Sequence, residues 1–361
     1  MSSITVAPFE VDPVLADAQR RSTRLELELP RDAGAHRVLT GDRPTGPLHV
    51  GHYFGTLLNR VRLQDLGAEL LVLIADYQTI TDRDSPGSLP GDVEELVADY
   101  LAVGIDPARA SIFTHSQIAA LNQLVLPFLS LVSVSELARN PTVKEERLAS
   151  GLPTTSGLML TYPVHQAADI LFCHADVVPV GKDQLPHVEL TRSIARRFNR
   201  RYSPDRPFFG EPAALLSEAP VILGTDGQKM SKSRRNAIAL GATEDETARL
   251  IRGARTDSDP RIAYDPVGRP EISNLILVTA LAEGLAPEQV TEETAGGGAA
   301  ALKRRATDAL NERLRPVRAR RAELVTDRGF LRRVLHAGNE RANVLAQETL
   351  DEVQRLMHTV Y

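Results

Sequence analysis

Cysteine is almost absent from this sequence: its 361 residues include one, Cys173. A lone thiol excludes an internal disulfide and a cysteine-based zinc cluster, so no zinc is expected, and it suits a reducing, cytoplasmic setting. No apolar run approaches the ~18 residues needed to cross a bilayer, so no membrane segment is expected. The opening MSSITVAPFEVDP has neither the basic start nor the continuous apolar stretch of a secretory signal. Lysine is scarce too. Of 42 basic residues only five are lysines: Lys144, Lys182, Lys229, Lys232 and Lys303. Arginine serves as the ordinary surface cation here, so a surviving lysine points to a place that wants a compact, mobile ammonium. Any one of the five is explained as well by chance; two within four residues are harder to dismiss. The net charge of −5 argues against indiscriminate coating of nucleic acid but leaves room for a local basic surface.

What is present is an ordinary globular composition, 42% apolar and 25% charged. The length fits two domains, or one large domain with an appendage. Residues 1–35 show no sustained periodicity and are expected to form a poorly packed extension with one short helix around Val14–Arg24. From residue 36 short apolar runs, Arg37–Thr40, Leu70–Ala75, Ser111–Thr114 and Val177–Val180, alternate with helical stretches. That alternation predicts an α/β fold, a Rossmann-like parallel sheet covered on both faces, over 36–220. The clearest helix follows Gly91, with Asp92 as N-cap, Glu95 at the capping-box position and Gly104 as its stop.

Ligands of such sheets bind beyond the carboxyl ends of the strands. Each expected strand runs into a polar turn: GDRPTG at 41–46, ADYQT at 75–79, THSQ at 114–117 and GKDQ at 181–184. Four such turns along one edge describe a single pocket. After a loop region at 221–240, strand signals fade. Helices are expected over 243–252, 274–283, 300–327 and 330–357, with a flexible Ala-Gly-Gly-Gly-Ala at 295–299. Residues 303–333 hold eleven basic and four acidic residues. A salt-bridged, solvated face and a phosphate-backbone footprint both fit that run.

Two motifs carry chemistry. In TGDRPTGPLHVGHYFGTLLNRV, residues 40–61, a strand, a Gly/Pro turn and a helix beginning near Val50 succeed one another, and helix N-termini attract phosphate. His49 and His52 can project toward the same phosphates, and Gly51 leaves room for a flat ring against bare backbone. An ordinary strand–turn–helix with surface histidines also fits these four letters. The second motif is KMSKS, 229–233, in the setting GTDGQKMSKSRRN. Its two lysines form a mobile clasp able to follow a departing pyrophosphate; a basic surface loop is the plainer reading.

HVGH followed some 180 residues later by KMSKS is the paired signature of class I aminoacyl-tRNA synthetases. Further segments narrow the resemblance: YLAVGIDP at 100–107, TYPVHQAADIL at 161–171, VVPVGKDQLPHVELTR at 177–192 and ISNL at 272–275. From Val38 onward the chain resembles tryptophanyl-tRNA synthetases. The resemblance implies a catalytic domain followed by a helical tRNA-binding region at 241–361. It implies use of ATP with Mg²⁺, with L-tryptophan and tRNA(Trp) as the other substrates, and a homodimer in the cytoplasm. It favours the tRNA reading of the arginine-rich segment.

The family's roles carry over by position. Asp42, Arg43, Pro44, Thr45, Gly51 and His52 would line the ATP site, with Gly181, Lys182 and Asp183 at the ribose and Val221 nearby. Lys229, Met230, Ser231, Lys232 and Ser233 would form the phosphate loop, aided by His49 and by Lys144. Asp169 would accept the indole N–H, Tyr162 and Gln184 would orient the ammonium, and Gln166 and Gln78 would border the ring. Departures from the family pattern fall at Arg43, where Gln is common, and at His52, where Asn is. Lys182 replaces an acidic residue, Gln166 a Met and Gln78 a His. Inhibitors that exploit that histidine are expected to bind weakly. Three rivals remain at this stage: a tyrosyl-tRNA synthetase, a non-catalytic regulatory paralogue, and a small-molecule adenylyltransferase sharing only the histidine turn.

Overall fold

The computed structural model describes residues 13–80, 88–144, 154–216, 221–231 and 234–361. Five strands form one parallel sheet: β1 (Arg37–Asp42), β2 (Glu69–Ile74), β3 (Ala110–Thr114), β4 (Val177–Val180) and β5 (Ala213–Leu216). Their order is β3-β2-β1-β4-β5, so the direction of winding reverses between β1 and β4. Four of these strands were expected from their apolar runs. The fifth, only Ala-Ala-Leu-Leu, was not, because so short a run carries no period. Successive residues of β2 divide between two cores: Leu70, Val72 and Ile74 face one, Leu71 and Leu73 the other. A strand buried on both faces has no polar side to show, which is why β2 reads Leu-Leu-Val-Leu-Ile.

The helices are α1 (Pro13–Asp32); α2 (Val50–His52), which passes through a π-helical turn (Tyr53–Leu57) into α3 (Leu58–Leu66); α4 (Leu89–Val103); α5 (Ala119–Leu129); α6 (Val134–Arg139); α7 (Gly157–Leu171); and α8 (Leu185–Tyr202). Then come α9 (Glu244–Gly253), α10 (Pro270–Glu283), α11 (Pro287–Thr294), α12 (Gly298–Leu324) and α13 (Arg328–Leu356). Helix α4 begins ahead of the expected cap: Ser88 occupies that position and Asp92 lies inside the first turn. Pro90 explains the difference, since a first-turn proline lacks only an N–H that has no helical partner. Gly104 ends the helix in left-handed conformation, as expected. No helix among the described residues is long and apolar enough to cross a membrane.

Both sheet edges are covered, and this corrects one expectation. Residues 13–32 are not poorly packed. Helix α1 runs along β5 with Ala18, Leu25 and Leu29 buried, and Ser22 Oγ accepts the N–H of Leu216 at 2.9 Å. At the other edge α13 lies on β3, where Asn339 Oδ1 accepts the Thr114 N–H at 3.0 Å and Arg341 donates to the Ala110 carbonyl at 3.0 Å. An exposed edge would offer unpaired groups to another chain. Leu331 and Val334 of α13 join one core and Ala342, Leu350 and Val353 the other. The last helix thus shares both cores of the sheet.

The arginine-rich run is engaged largely within the chain. Arg321 bonds Asp99 and Glu95, Arg328 and Arg332 bond Glu94, and Arg305 bonds Glu283 and Glu293. Arg318 donates to Thr247 Oγ1, and Lys303 donates to the carbonyls of Arg252 and Ala254 at the end of α9. These contacts dock α12 and α13 against α4, α9 and α10.

Candidate active site

The crevice forms where the winding reverses, at the carboxyl ends of β1 and β4, as physical topology requires of such sheets. It is a cleft of about 320 Å³. Asp42, Arg43, Gln78, Tyr162, Gln166, Asp169, Gly181 and Gln184 all line it, so the five residues expected at the tryptophan ring and ammonium are brought together.

Asp42 ends β1 with its carboxylate turned inward. Oδ2 accepts from Arg60 at 2.5 Å and from the Tyr100 hydroxyl at 2.7 Å. Burial works against the charge of Asp42, but the Arg60 guanidinium overrides it and holds the carboxyl well below the ordinary aspartate range. Arg60 thus holds this carboxylate ionised at the cleft, which both residues line, and the next residue, Arg43, lines it too and donates to Gln78 Oε1 at 3.2 Å.

His49 caps α2, and its ring lies 3.8 Å from that of His52, whose Nδ1 accepts the His49 N–H at 3.3 Å. Gly51 sits against them; a Cβ there would stand 3.0 Å from the His49 ring and 3.6 Å from the Met230 sulfur. The histidine turn is bonded through backbone to the segment that follows the lysine loop. Val50 N–H donates to the Ile238 carbonyl, and Leu240 N–H donates to the Leu48 carbonyl, each at 2.9 Å. Met230 is buried while Lys229 is exposed, so the loop is anchored by its methionine and presents its lysine to solvent. Lys232 and Ser233 lie outside the described residues. Lys144, Lys182 and Asp183 are exposed, and Thr142 Oγ1 donates to the Asp183 carbonyl at 3.2 Å, bringing the Lys144 segment beside the GKDQ turn. Pro44 is buried, Thr45 and Ser231 are half-buried, and Val221 is exposed.

Several residues at the site were not singled out from sequence. Asn236 is buried behind the lysine loop; its amide donates to Asp226 at 2.7 Å and to the Lys229 carbonyl at 3.2 Å, and its Oδ1 accepts the Ser231 N–H at 2.8 Å. His187 stands behind Tyr162, Nε2 3.4 Å from the hydroxyl. Burial, reinforced by Arg43, pushes its imidazole down to about 4, so it is uncharged at neutral pH. Its spacing from Gln184, one helical turn on, was the available signal. Asp169 on α7 is 2% exposed and has His115 and His165 for neighbours. Burial likewise pushes His165 below the ordinary histidine range, against the pull of Asp169. One ligand-type atom from each of these three lies within 4.8 Å of the others. Cys173, fully buried, has its thiol pushed up to about 12 by burial and is chemically quiet.

A parallel sheet with its crevice at the switch point, and a histidine turn with the methionine of the lysine loop packed beside its glycine, defines a class I synthetase catalytic unit. The chain belongs to the family of class I tRNA synthetases for tryptophan and tyrosine, tRNA synthetases class I (W and Y), whose model matches residues 31–315. It is 43% identical to the tryptophan–tRNA ligase of Treponema pallidum (strain Nichols) over 89% of this chain and 96% of that one. It is 39% identical to that of Clostridium longisporum over 90% and 97%. The crystal structure of tryptophanyl-tRNA synthetase from Campylobacter jejuni complexed with ADP and tryptophan is similar with a TM-score of 0.76. That pair is 29% identical over 89% of this chain and 99% of the other.

Proposed function

We propose that the chain is a tryptophan–tRNA ligase, forming tryptophanyl-adenylate from L-tryptophan and ATP and passing the acyl group to tRNA(Trp). One observation carries the choice of amino acid: Asp169, a buried carboxylate, lines the cleft among Tyr162, Gln166, Gln184 and Gln78. A carboxylate aimed at an indole N–H is left desolvated and unpaired by phenylalanine. Sites built this way reject such analogues by about 10⁴–10⁵.

The tryptophan carboxylate attacks the α-phosphorus of ATP, and pyrophosphate leaves toward Lys229 and Lys232, with Lys144 alongside. Mg²⁺ bound to the triphosphate would offset part of its charge. Arg43, His49, His52 and the Gly181–Asp183 turn hold the nucleotide. No side chain serves as a covalent nucleophile, which fits catalysis by positioning and electrostatics. Helices of 241–361 meet the tRNA, and a homodimer working in the cytoplasm completes the reading. The internal pairing of the arginine-rich run leaves less of its charge for phosphates than the sequence implied.

Pyrophosphate exchange with tryptophan and tyrosine side by side tests this. Tryptophan-dependent exchange is expected, and it should nearly vanish on joint Lys229→Ala and Lys232→Ala substitution. Exchange driven by tyrosine alone would make the enzyme a tyrosyl relative. Tryptophan binding without exchange would make it a regulator.

A further inference from the structure

His115 follows the carboxyl end of β3, while Asp169 comes from α7, and neither is more than 2% exposed. His115 Nε2 lies 2.7 Å from Asp169 Oδ1. The approach is close but not aligned: Nε2, Oδ1 and His115 Nδ1 all lack a well-directed hydrogen-bond partner. Behind this pair the His165 ring stacks on His115 at 4.3 Å, and Asn122 Oδ1 holds its Nε2 at 2.9 Å. The same Asn122 amide donates to the main-chain carbonyl of His115, also at 2.9 Å. One side chain thus fixes both the backbone of His115 and the ring stacked on it.

A buried carboxylate without partners is costly, and one free to rotate offers an incoming N–H two equivalent, poorly placed oxygens. We propose that His115 is a positioning residue for amino-acid selection: it pins Oδ1 of Asp169 so that the carboxylate presents Oδ2 to the indole N–H. This rests on the reading of Asp169 as the indole acceptor. Asn122 and His165 keep His115 in place, and the small turn that aligns Nε2–H with Oδ1 accompanies entry of the amino acid. A cation held by His115, His165 and Asp169 is the competing use of the cluster, but the two rings lie 29° from parallel and run alongside each other.

The test compares His115→Phe, which keeps the stacked ring and removes the donor, with His115→Gln, which restores an N–H donor. Pyrophosphate exchange is read with L-tryptophan and with 3-benzothienyl-L-alanine, in which sulfur replaces the indole N–H. His115→Phe is expected to raise the KM for tryptophan about 10- to 100-fold, the loss of one buried charge-assisted hydrogen bond. The KM for ATP should hold, the analogue should be affected far less, and His115→Gln should recover most of the loss. An unchanged tryptophan KM, or an equal loss with both substrates, would overturn the role of His115. A wild-type enzyme that accepts both substrates equally would instead show that Asp169 is not the indole acceptor. Stoichiometric Zn²⁺ that blocks tryptophan binding in the wild type and not in His115→Phe would overturn the proposal in favour of a cation site.

Discussion

Asp99 on α4 joins Arg321 on α12 to the histidine turn. Its Oδ1 accepts from Arg321 Nε at 2.6 Å, and its Oδ2 accepts the backbone N–H of Leu48 at 2.8 Å. A residue from the late helices is thereby one buried carboxylate away from the turn that carries His49 and His52.

Removing Arg321 should therefore act on both stability and chemistry. Arg321→Ala leaves Asp99 buried with only the Leu48 N–H, and breaking a buried pair costs about 3–5 kcal/mol. Burial already holds Asp99 above the ordinary aspartate range despite Arg321. A raised folded-state value means the contribution of this group to stability is greatest in acid and falls as pH rises through that value. The variant should accordingly lose more stability at neutral pH than in acid, read as chemical-denaturation midpoints across pH. An equal deficit at all pH values would sink the idea.

Asp42 predicts the opposite slope. Its folded-state value is depressed, so its contribution is present above the ordinary aspartate value of 3.8 and is lost as pH falls below it. Asp42→Asn should be less stable than wild type at neutral pH because Arg60 is left buried without its charge partner. Its profile should also be flatter between about pH 5 and pH 3. Parallel profiles for the two proteins would contradict the pairing.

Asn236 holds the lysine loop through Asp226, the Lys229 carbonyl and the Ser231 N–H. Asn236→Ala should slow adenylate formation about 10- to 100-fold, since small misplacements of catalytic groups cost that much, while leaving the KM for tryptophan near its original value. Single-turnover kinetics separates the two. A variant with a normal rate of adenylate formation would show that the loop does not depend on this side chain.

Gly338 lets α13 rest on β3. A Cβ there would stand 1.8 Å from the Ile112 carbonyl oxygen, and backbone cannot step aside as a flexible side chain can. Gly338→Ala should destabilise the fold by about 3 kcal/mol, at or above the upper end of ordinary overpacking, measured by urea unfolding. A loss below about 1 kcal/mol would mean the helix shifts freely.

The elements most readily read from sequence were those whose own residues suffice. Leu70–Ile74 announced a strand by its apolar run, and Gly104 announced a helix end. The residues expected at the tryptophan ring line one cleft, and their positions were legible because motif spacing and family resemblance fixed them. Residues that act through distant partners were not legible. Asn236 follows its motif as one polar residue among many, and only folding sets it against Asp226 and Ser231. His115 was seen merely as part of a polar turn, because its neighbours Asp169 and His165 arrive from another helix.

The sequence by itself determined the parallel α/β plan, the place of the crevice and the positions of its two motifs, because strand period, turn residues and helix stops are local properties of the chain. Tertiary structure alone decided which charges are free to act. Whether an arginine of α12 waits for phosphate or grips Asp99, and which cation holds Asp42, depends on groups that sequence separation hides and packing brings within 3 Å.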